Sequence, residues 1–269
     1  MSPRRRAVVA AAALLAVVAV ALAAVLATRA RGGGADGAVA RQDRPGPVVL
    51  VPGYGGGTAA LVRLQRALEA AGRRAVIVPA VGDGTGDLRV QAREVQRVAA
   101  GLVAGGAPSV DVVGFSAGGV VARIWLADGD GARLARRVVT LGSPHHGTSV
   151  AELGGLVAPD SCPVACRQLV PGSELLGRLP ETVPGPRYTS VWTAHDDVVT
   201  PPESARLAGA VNVPLQSVCA DDAVEHGGLP GDPLVVGIVL RALGTGPLTT
   251  APSPADCGAL RAGGAGLSS

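Results

Sequence analysis

The sequence alternates short apolar runs with longer segments in which apolar residues recur at helical spacing. Predicted strands lie at 48–51, 75–78, 110–113, 137–141 and 188–192, with a weaker candidate at 211–218. Predicted helices lie at 58–71, 88–103, 120–127 and 234–243. A run that is apolar at every position, as in 48–51, is typical of a strand buried on both faces of a parallel sheet. The pattern predicts one α/β domain with a mostly parallel central sheet and helices on both faces.

Composition agrees with such a domain and excludes other classes of protein. Hydrophobic residues make up 48% of the chain and charged residues 17%, which excludes a disordered polyelectrolyte. Four Cys in 269 residues are too sparse for a disulfide-dense mini-protein. The aromatic side chains are Tyr54, Phe115, Trp125, Tyr188 and Trp192. The core must therefore consist mainly of Ala, Val and Leu.

The N-terminal 31 residues have the pattern of an export segment. Arg4, Arg5 and Arg6 precede 21 residues without a charged or polar side chain, 7–27. At about 1.5 Å per helical residue this run can span a bilayer, so a cleaved signal peptide and a retained anchor both remain open. We expect a protein that is secreted or anchored to the outer face of the cell membrane. The membrane is a partner only if the segment is uncleaved.

Beyond residue 31 the sequence divides into three parts. Residues 32–46 are Gly-rich and polar, as expected for a flexible linker. Residues 47–244 hold the predicted strands and helices, and 245–269 are expected to be a loose tail tied by Cys257. Residues 1–31 carry five Arg and no acid, whereas the remainder has 19 Arg against 21 acids and a net charge of −2. The body therefore lacks the basic surface of a nucleic-acid-binding protein, and we expect no nucleic-acid partner. We also expect the protein to be a monomer.

The strongest chemical signal is Gly114-Phe115-Ser116-Ala117-Gly118, between a predicted strand and a predicted helix. A G-x-S-x-G sequence in this context is typical of a nucleophile elbow. The two glycines remove side chains that would collide across the sharp turn, and the strained serine backbone needs that space. The sequence therefore predicts Ser116 as a nucleophile.

A second Gly-rich segment, 52–56, directly follows the first predicted strand. An oxyanion hole needs two preorganised backbone N–H groups. We expect one from Ala117, the residue after the nucleophile, and one from Tyr54. The alternatives are a turn without a ligand and a phosphate-binding loop, although the chain has no G-x-x-x-x-G-K-[ST] sequence and no Lys.

A serine nucleophile needs a base and an orienting acid. His226, which lies after the last predicted strand, is where a Ser…Asp…His chain order places the base. Asp196 follows the strand 188–192 and is the predicted acid, with Asp197 as its neighbouring rival. His145 and His146 follow the strand 137–141 and are expected to face the substrate, although either could be the base.

The remaining His and Asp residues have plainer interpretations. His195 directly precedes the predicted acid and is expected to point elsewhere. Asp87, Asp111 and Asp160 are interpreted as cap or turn residues.

Together, the segments 51–56, 111–119, 141–148, 188–199 and 226–229 resemble the α/β-hydrolase superfamily, in particular small secreted actinobacterial and bacillar lipases and esterases. The resemblance covers about residues 47–243. It implies Ser116, Asp196 and His226 as the catalytic triad, and Tyr54 and Ala117 as oxyanion donors. The family often has His where this chain has Pro52, and His in place of Phe115. No long lid is evident, and 154–178 is the only candidate cover.

The resemblance implies a serine ester hydrolase that acts through an acyl-enzyme on Ser116, with an ester or lipid substrate and no cofactor or metal. Phe115, His145 and His146 are the expected substrate-binding residues, and the rings near the site are hypothesised to line an apolar acyl pocket. An acyltransferase or thioesterase with the same triad remains an alternative. So does a catalytically silent, membrane-tethered binding protein.

The four Cys allow three pairings. We favour Cys162 with Cys166, which would close a tight loop, and Cys219 with Cys257, which would tie the tail to the last strand. The alternatives are free buried thiols and a metal site, which no C-x₂-C sequence or nearby His pair supports.

Overall fold

The computed structural model describes residues 40–151, 162–246 and 248–267. The predicted export segment, the first part of the predicted linker and residues 154–161 of the candidate cover lie outside the described residues. In the ranges that are described, no helix is both long enough and apolar enough to cross a bilayer.

The centre of the molecule is a six-stranded sheet in which every neighbouring pair of strands is parallel. The strands are β1 (Val48–Val51), β2 (Ala75–Ile77), β3 (Val110–Phe115), β4 (Ala135–Leu141), β5 (Arg187–Trp192) and β6 (Val211–Pro214). Their order across the sheet is β2-β1-β3-β4-β5-β6. The predicted parallel sheet is confirmed, and the weaker candidate at 211–218 is a strand over its first four residues.

Helices cover both faces of the sheet. They are α1 (Ala59–Ala70), α2 (Leu88–Ala104), α3 (Ala117–Asp128), α4 (Gly131–Leu134), α5 (Val164–Gln168), α6 (Glu174–Arg178), α7 (Pro233–Ala242) and α8 (Cys257–Ala265). Buried residues of α1 and α7 form one apolar cluster with the sheet, and those of α2 and α3 form another. Both clusters consist mainly of Val, Leu and Ala, as the composition predicts.

The C-terminal tail is not the loose segment that the sequence predicts, because α8 packs against α7. The two helices approach so closely that a Cβ on Gly237 would lie 2.2 Å from the Leu260 carbonyl oxygen. A Cβ on Gly264 would lie 1.9 Å from the Pro233 carbonyl oxygen. Backbone contact through glycine leaves no apolar side-chain periodicity, which explains why this helix was not predicted.

Both favoured disulfide pairings are confirmed. Cys162 is bonded to Cys166, and Cys219 is bonded to Cys257. The second bond joins the first residue of α8 to the segment after β6, so it fastens the tail to the body as expected.

A buried charge cluster lies at the edge of the sheet opposite to the end of β3 that carries Ser116. The fully buried Asp111 carboxylate accepts hydrogen bonds from Arg136 Nε at 2.9 Å and Arg136 Nη2 at 2.6 Å. It also accepts one from Arg73 Nη2 at 2.6 Å. Asp111 is therefore not a turn residue, and the interpretation from sequence is wrong. Asp87 does cap α2, as expected, by accepting from the Arg89 N–H.

The same guanidinium groups fasten both ends of the domain. Arg136 donates to the carbonyl oxygens of Gln42, Leu243 and Gly244. Arg73 donates to the carbonyl oxygens of Gly46 and Leu243. Residues 40–46, the described part of the predicted flexible linker, are therefore bonded to the body rather than free of it.

The variant Asp111→Ala should lower the free energy of unfolding by about 3–5 kcal/mol, because it leaves the buried Arg136 charge without its partner. Urea unfolding followed by circular dichroism measures this. The control is Arg178→Ala, which removes an exposed ion pair with Glu174 and should change the free energy by less than about 1 kcal/mol. Equal effects of the two variants would contradict the assignment of Asp111 as a central stabilising group.

Candidate active site

Ser116 lies in a strained turn between β3 and α3. Its φ is 54°, and no other non-glycine residue among those described has a positive φ. The two glycines of the motif allow the turn, since a Cβ on Gly114 would lie 2.6 Å from the Gly119 backbone. A Cβ on Gly118 would lie 2.2 Å from the Val51 carbonyl oxygen. The structure therefore has the strand–turn–helix arrangement expected around Ser116, with the side chain at the carboxyl edge of the sheet.

Ser116, His226 and Asp196 lie in one hydrogen-bonded row. The distance from His226 Nε2 to Ser116 Oγ is 3.0 Å, and the distance from His226 Nδ1 to Asp196 Oδ2 is 2.8 Å. The imidazole and the carboxylate are both buried. If Nδ1–H donates to Asp196, then Nε2 is free to accept the Ser116 proton, which is the arrangement a serine nucleophile needs.

The acid and the ring are each held in place by further contacts. The backbone N–H groups of Val198 and Val199 donate to Asp196 Oδ1 at 3.0 and 2.7 Å, which leaves Oδ2 for His226. The Phe115 ring packs on the imidazole with centroids 5.0 Å apart. Asp197 and His195 are exposed. Of the two neighbouring acids, the structure brings Asp196 to His226.

The segment after β1 approaches the nucleophile closely. A Cβ on Gly53 would lie 3.0 Å from Ser116 Cβ. Tyr54 begins a short 3-10 turn in which Gly55 and Gly56 have φ values of 74° and 67°. Within the described part of the chain, the backbone N–H groups of Tyr54 and Ala117 have no hydrogen-bond acceptor. Two unpaired N–H groups beside a nucleophile can stabilise a developing oxyanion.

An apolar cleft of about 200 Å³ opens beside Ser116. Its lining consists of Tyr54, Ser116, Pro144, Thr148, Val150, Ala151, Cys166, Leu169, Val198 and Val199. None of these side chains carries a charge, so the cleft suits a neutral apolar group. Cys166 and Leu169 belong to the described part of the candidate cover, which therefore forms one wall of the cleft.

Three predicted substrate-binding residues do not line this cleft. His145 is 1% exposed, its Nε2 lies 3.0 Å from Thr140 Oγ1, and its carbonyl oxygen accepts from Arg123. Burial and the Arg123 charge hold the pKa of His145 well below its ordinary value, so the ring is neutral. A ring buried in this way cannot contact a substrate, and the prediction for His145 is wrong.

His146 and Phe115 also lie outside the lining. The His146 ring lies between the Ser204 carbonyl oxygen at 3.1 Å from Nδ1 and the Glu181 carboxylate at 2.9 Å from Nε2. Phe115 supports His226 instead of facing the cleft. Among the described residues, the histidine that is hydrogen-bonded to Ser116 is His226, not His145 or His146.

Of the five aromatic side chains, only Tyr54 lines this cleft, so the hypothesis that the rings near the site line a pocket is wrong for the others. Tyr188 and Trp192 are buried in the core, and the Tyr188 hydroxyl accepts from the Val183 N–H. The walls of the cleft are aliphatic and come from several separate loops. These loops are far apart in the chain and share no sequence pattern, so the sequence did not indicate which residues line the cleft.

Among the described residues, Cys219, Asp221 and Cys257 lie close enough together to be considered as metal ligands. The two sulfur atoms are joined in a disulfide and are not available as thiolates. The geometry at this position therefore does not fit a metal ion.

Replacement of Gly142 should disturb the His–Asp pair, because this residue has a φ of 53° and a side chain at this position would face both partners. A Cβ there would lie 3.1 Å from Asp196 Oδ2 and 3.1 Å from His226 Nδ1. We expect Gly142→Ala to slow fluorophosphonate labelling of Ser116 by on the order of tenfold or more. The matched control is Gly227→Ala, because Gly227 adjoins His226 but has open space around it. Labelling of Gly142→Ala at the unaltered rate would show that the pair tolerates the extra carbon.

Comparison with known proteins identifies the architecture. No protein-family model and no curated protein matches the sequence. Among solved structures, lipase B of Aspergillus fumigatus superposes with a TM-score of 0.63 and 18% identity over 84% of this chain. The match covers 61% of that lipase, so this chain spans about three fifths of its length.

For two further solved structures, one bacterial and one from an environmental sample, the match covers at least 90% of the other chain. The mature lipase BlEst2 of Bacillus licheniformis has a TM-score of 0.58 and 19% identity, with 77% of this chain and 93% of that chain covered. The α/β hydrolase MGS-MChE2, from a sediment metagenome of the Mar Chica lagoon in Morocco, has a TM-score of 0.51 and 18% identity, with 74% and 90% covered. With its parallel sheet and its serine turn after β3, this chain has the α/β-hydrolase fold.

Proposed function

We propose that this protein is a serine carboxylic-ester hydrolase, a lipase or esterase that forms an acyl-enzyme on Ser116. The observation that carries the proposal is the hydrogen-bonded row of Ser116, His226 and Asp196 beside two unpaired backbone N–H groups. Acyl transfer requires a nucleophile hydrogen-bonded to a base, an acid that orients the base, and an oxyanion site beside the nucleophile. The structural neighbours that are lipases support this reading.

Acylation begins when His226 Nε2 accepts the Ser116 proton and Ser116 Oγ attacks the ester carbonyl carbon. The carbonyl oxygen takes the negative charge and receives the N–H groups of Tyr54 and Ala117. The N-terminus of α3 adds a favourable field at the same point. Asp196 stabilises the imidazolium. His226 then gives the proton to the leaving alcohol as its C–O bond breaks.

Deacylation repeats these steps with water as the nucleophile. His226 accepts a proton from water, and the resulting hydroxide equivalent attacks the acyl carbon. The same two N–H groups hold the second oxyanion. Collapse of this intermediate releases the carboxylic acid, and the proton on His226 returns to Ser116 Oγ.

The cleft indicates the substrate class. Its uncharged and mostly apolar lining favours a neutral acyl group over a charged one. A volume of about 200 Å³ lies below the roughly 300–1,000 Å³ of pockets that hold drug-sized ligands. We therefore propose esters with short to medium aliphatic acyl chains as substrates.

We also propose that the enzyme works outside the cytoplasm, either secreted or held on the outer face of the membrane by its N-terminal segment. Two disulfides support this, because such bonds persist in oxidising compartments. Fractionation of cells that express the full chain would place it in the medium, the membrane or the cytoplasm. Recovery from the cytoplasm alone would contradict the proposal.

Removal of the catalytic groups should abolish hydrolysis of p-nitrophenyl butyrate. We expect Ser116→Ala and His226→Ala to lower kcat by about 10⁴-fold or more, and Asp196→Asn by on the order of 10³- to 10⁴-fold. His195→Ala is the matched control, since that ring is exposed next to the acid and should leave kcat unchanged. Full activity in His226→Ala would refute the assignment of the base.

Filling the cleft should shorten the preferred acyl chain. Val150→Trp adds a ring to the wall, so kcat/KM for an octanoate ester should fall by about tenfold relative to the acetate ester. Val164→Trp makes the same change at an exposed position outside the lining and should leave the chain-length profile as it is. Parallel shifts in both variants would argue that the acyl chain lies elsewhere.

A further inference from the structure

The segment that supplies the Tyr54 N–H rests on a second loop, residues 80–88, which follows β2. The Gly55 N–H donates to the Gly84 carbonyl oxygen at 3.1 Å. A Cβ on Gly84 would lie 2.5 Å from the Gly56 nitrogen, and a Cβ on Gly56 would lie 2.4 Å from Ala80 Cβ. The two loops therefore touch backbone to backbone, and a shift of the second loop displaces the first.

In the described part of the chain, a cavity adjoins the Tyr54 segment on that side. It has a volume of about 190 Å³ and lies between the two loops and the start of α3, with Gly53, Gly56 and Ala117 in its lining. A cavity removes the close side-chain packing that usually fixes a loop. The position of the oxyanion segment therefore depends on the hydrogen bond and the glycine contacts with residues 80–84.

The second loop is in turn held by α5. The Ala165 N–H donates to the Thr85 carbonyl oxygen at 3.1 Å. The Gln168 side chain makes two contacts with opposite polarity: its Oε1 accepts from the Leu88 N–H at 2.9 Å, and its Nε2 donates to Asp87 Oδ1 at 2.7 Å. Both ends of the amide are used, so neither a carboxylate nor an apolar side chain can replace it without loss.

We propose that Gln168 is a positioning residue for the oxyanion site and acts through the loop 80–88 on the segment that contains Tyr54. The proposal rests on the proposed ester hydrolysis at Ser116. Gln168 itself does not line the cleft, whereas its neighbour Leu169 does. Its effect should therefore appear in the stabilisation of the transition state and not in the binding of the acyl chain.

The test is Gln168→Glu, assayed on p-nitrophenyl esters from acetate to octanoate. The new carboxylate cannot donate to Asp87 and repels it at hydrogen-bond distance. A displaced oxyanion donor should lower kcat by on the order of tenfold, less than the 10²- to 10³-fold expected for loss of the donor itself. KM should stay within about twofold of the wild-type value, because the contacts that bind the acyl chain are unchanged. The fall in kcat should be the same for every chain length.

Asp87→Asn in combination with Gln168→Glu should raise kcat above that of Gln168→Glu alone, because it removes the repulsion between the two carboxylates while the amide oxygen at position 87 still accepts from the Arg89 N–H. An Asn at this position caps a helix as well as Asp does, so α2 is preserved. If Gln168→Glu fails to fold, Gln168→Met keeps the length of the side chain, removes both hydrogen bonds and should give the same fall in kcat. Circular dichroism of each variant shows whether it is folded.

The matched control is Gln65→Glu on α1, where the amide donates to the Ala75 carbonyl oxygen at the start of β2. This variant should keep the wild-type kcat. Unchanged kcat in Gln168→Glu, a fall that depends on chain length, or failure of the double variant to recover would each overturn the positioning role. Absence of Ser116-dependent hydrolysis in the wild-type protein would instead refute the proposed function.

Discussion

The Ser116 backbone is held in a conformation that costs an isolated residue about 1–3 kcal/mol. Glycine makes this possible, because β3, α3 and the end of β1 approach so closely at Gly114 and Gly118 that a methyl group there would collide with neighbouring backbone atoms. The Ser116 N–H donates to the Leu141 carbonyl oxygen, which ties the turn to the neighbouring strand. The position of Ser116 is thus set by backbone contacts with β1, α3 and β4. His226, Asp196 and the segment that contains Tyr54 are arranged around it.

The amino ends and the carboxyl ends of the strands differ in how their polar groups are bonded. At the amino ends of the strands, the Asp111 carboxylate and two guanidinium groups join β3 to the chain on either side of the domain. At the carboxyl ends, loops carry the polar groups and leave N–H groups unpaired. Local strain persists only where the surrounding structure over-determines it, and the buried ion cluster is one of the contacts that stabilise this domain.

The elements that the sequence predicts well are those with a periodic or local signal. The apolar runs gave five strands, and the glycine spacing around Ser116 gave the turn. The chain order of Ser116, Asp196 and His226 is a pattern of the fold family and could be read without distances. The structure places Ser116 and Asp196 within hydrogen-bond distance of the two ring nitrogens of His226.

What the sequence did not predict depends on contacts between distant segments. Helix α8 packs through glycine, so it lacks an apolar stripe, and Asp111 looks like any polar residue beside a strand. His145 has the flanking residues of a loop that faces the site, yet its ring turns into the core against Thr140. The role of Gln168 requires knowledge of where residues 80–88 lie relative to α5, and no local pattern contains that information.

The disulfide between Cys162 and Cys166 lies in the wall of the cleft and not at the nucleophile. None of the contacts among Ser116, His226 and Asp196 passes through it. Loss of this bond alone would therefore leave the row of Ser116, His226 and Asp196 intact, while one wall of the cleft lacked its covalent closure. Under the proposed ester hydrolysis, preparations that label equally well with a serine-directed probe would then differ in the esters that they select, according to whether this bond has formed.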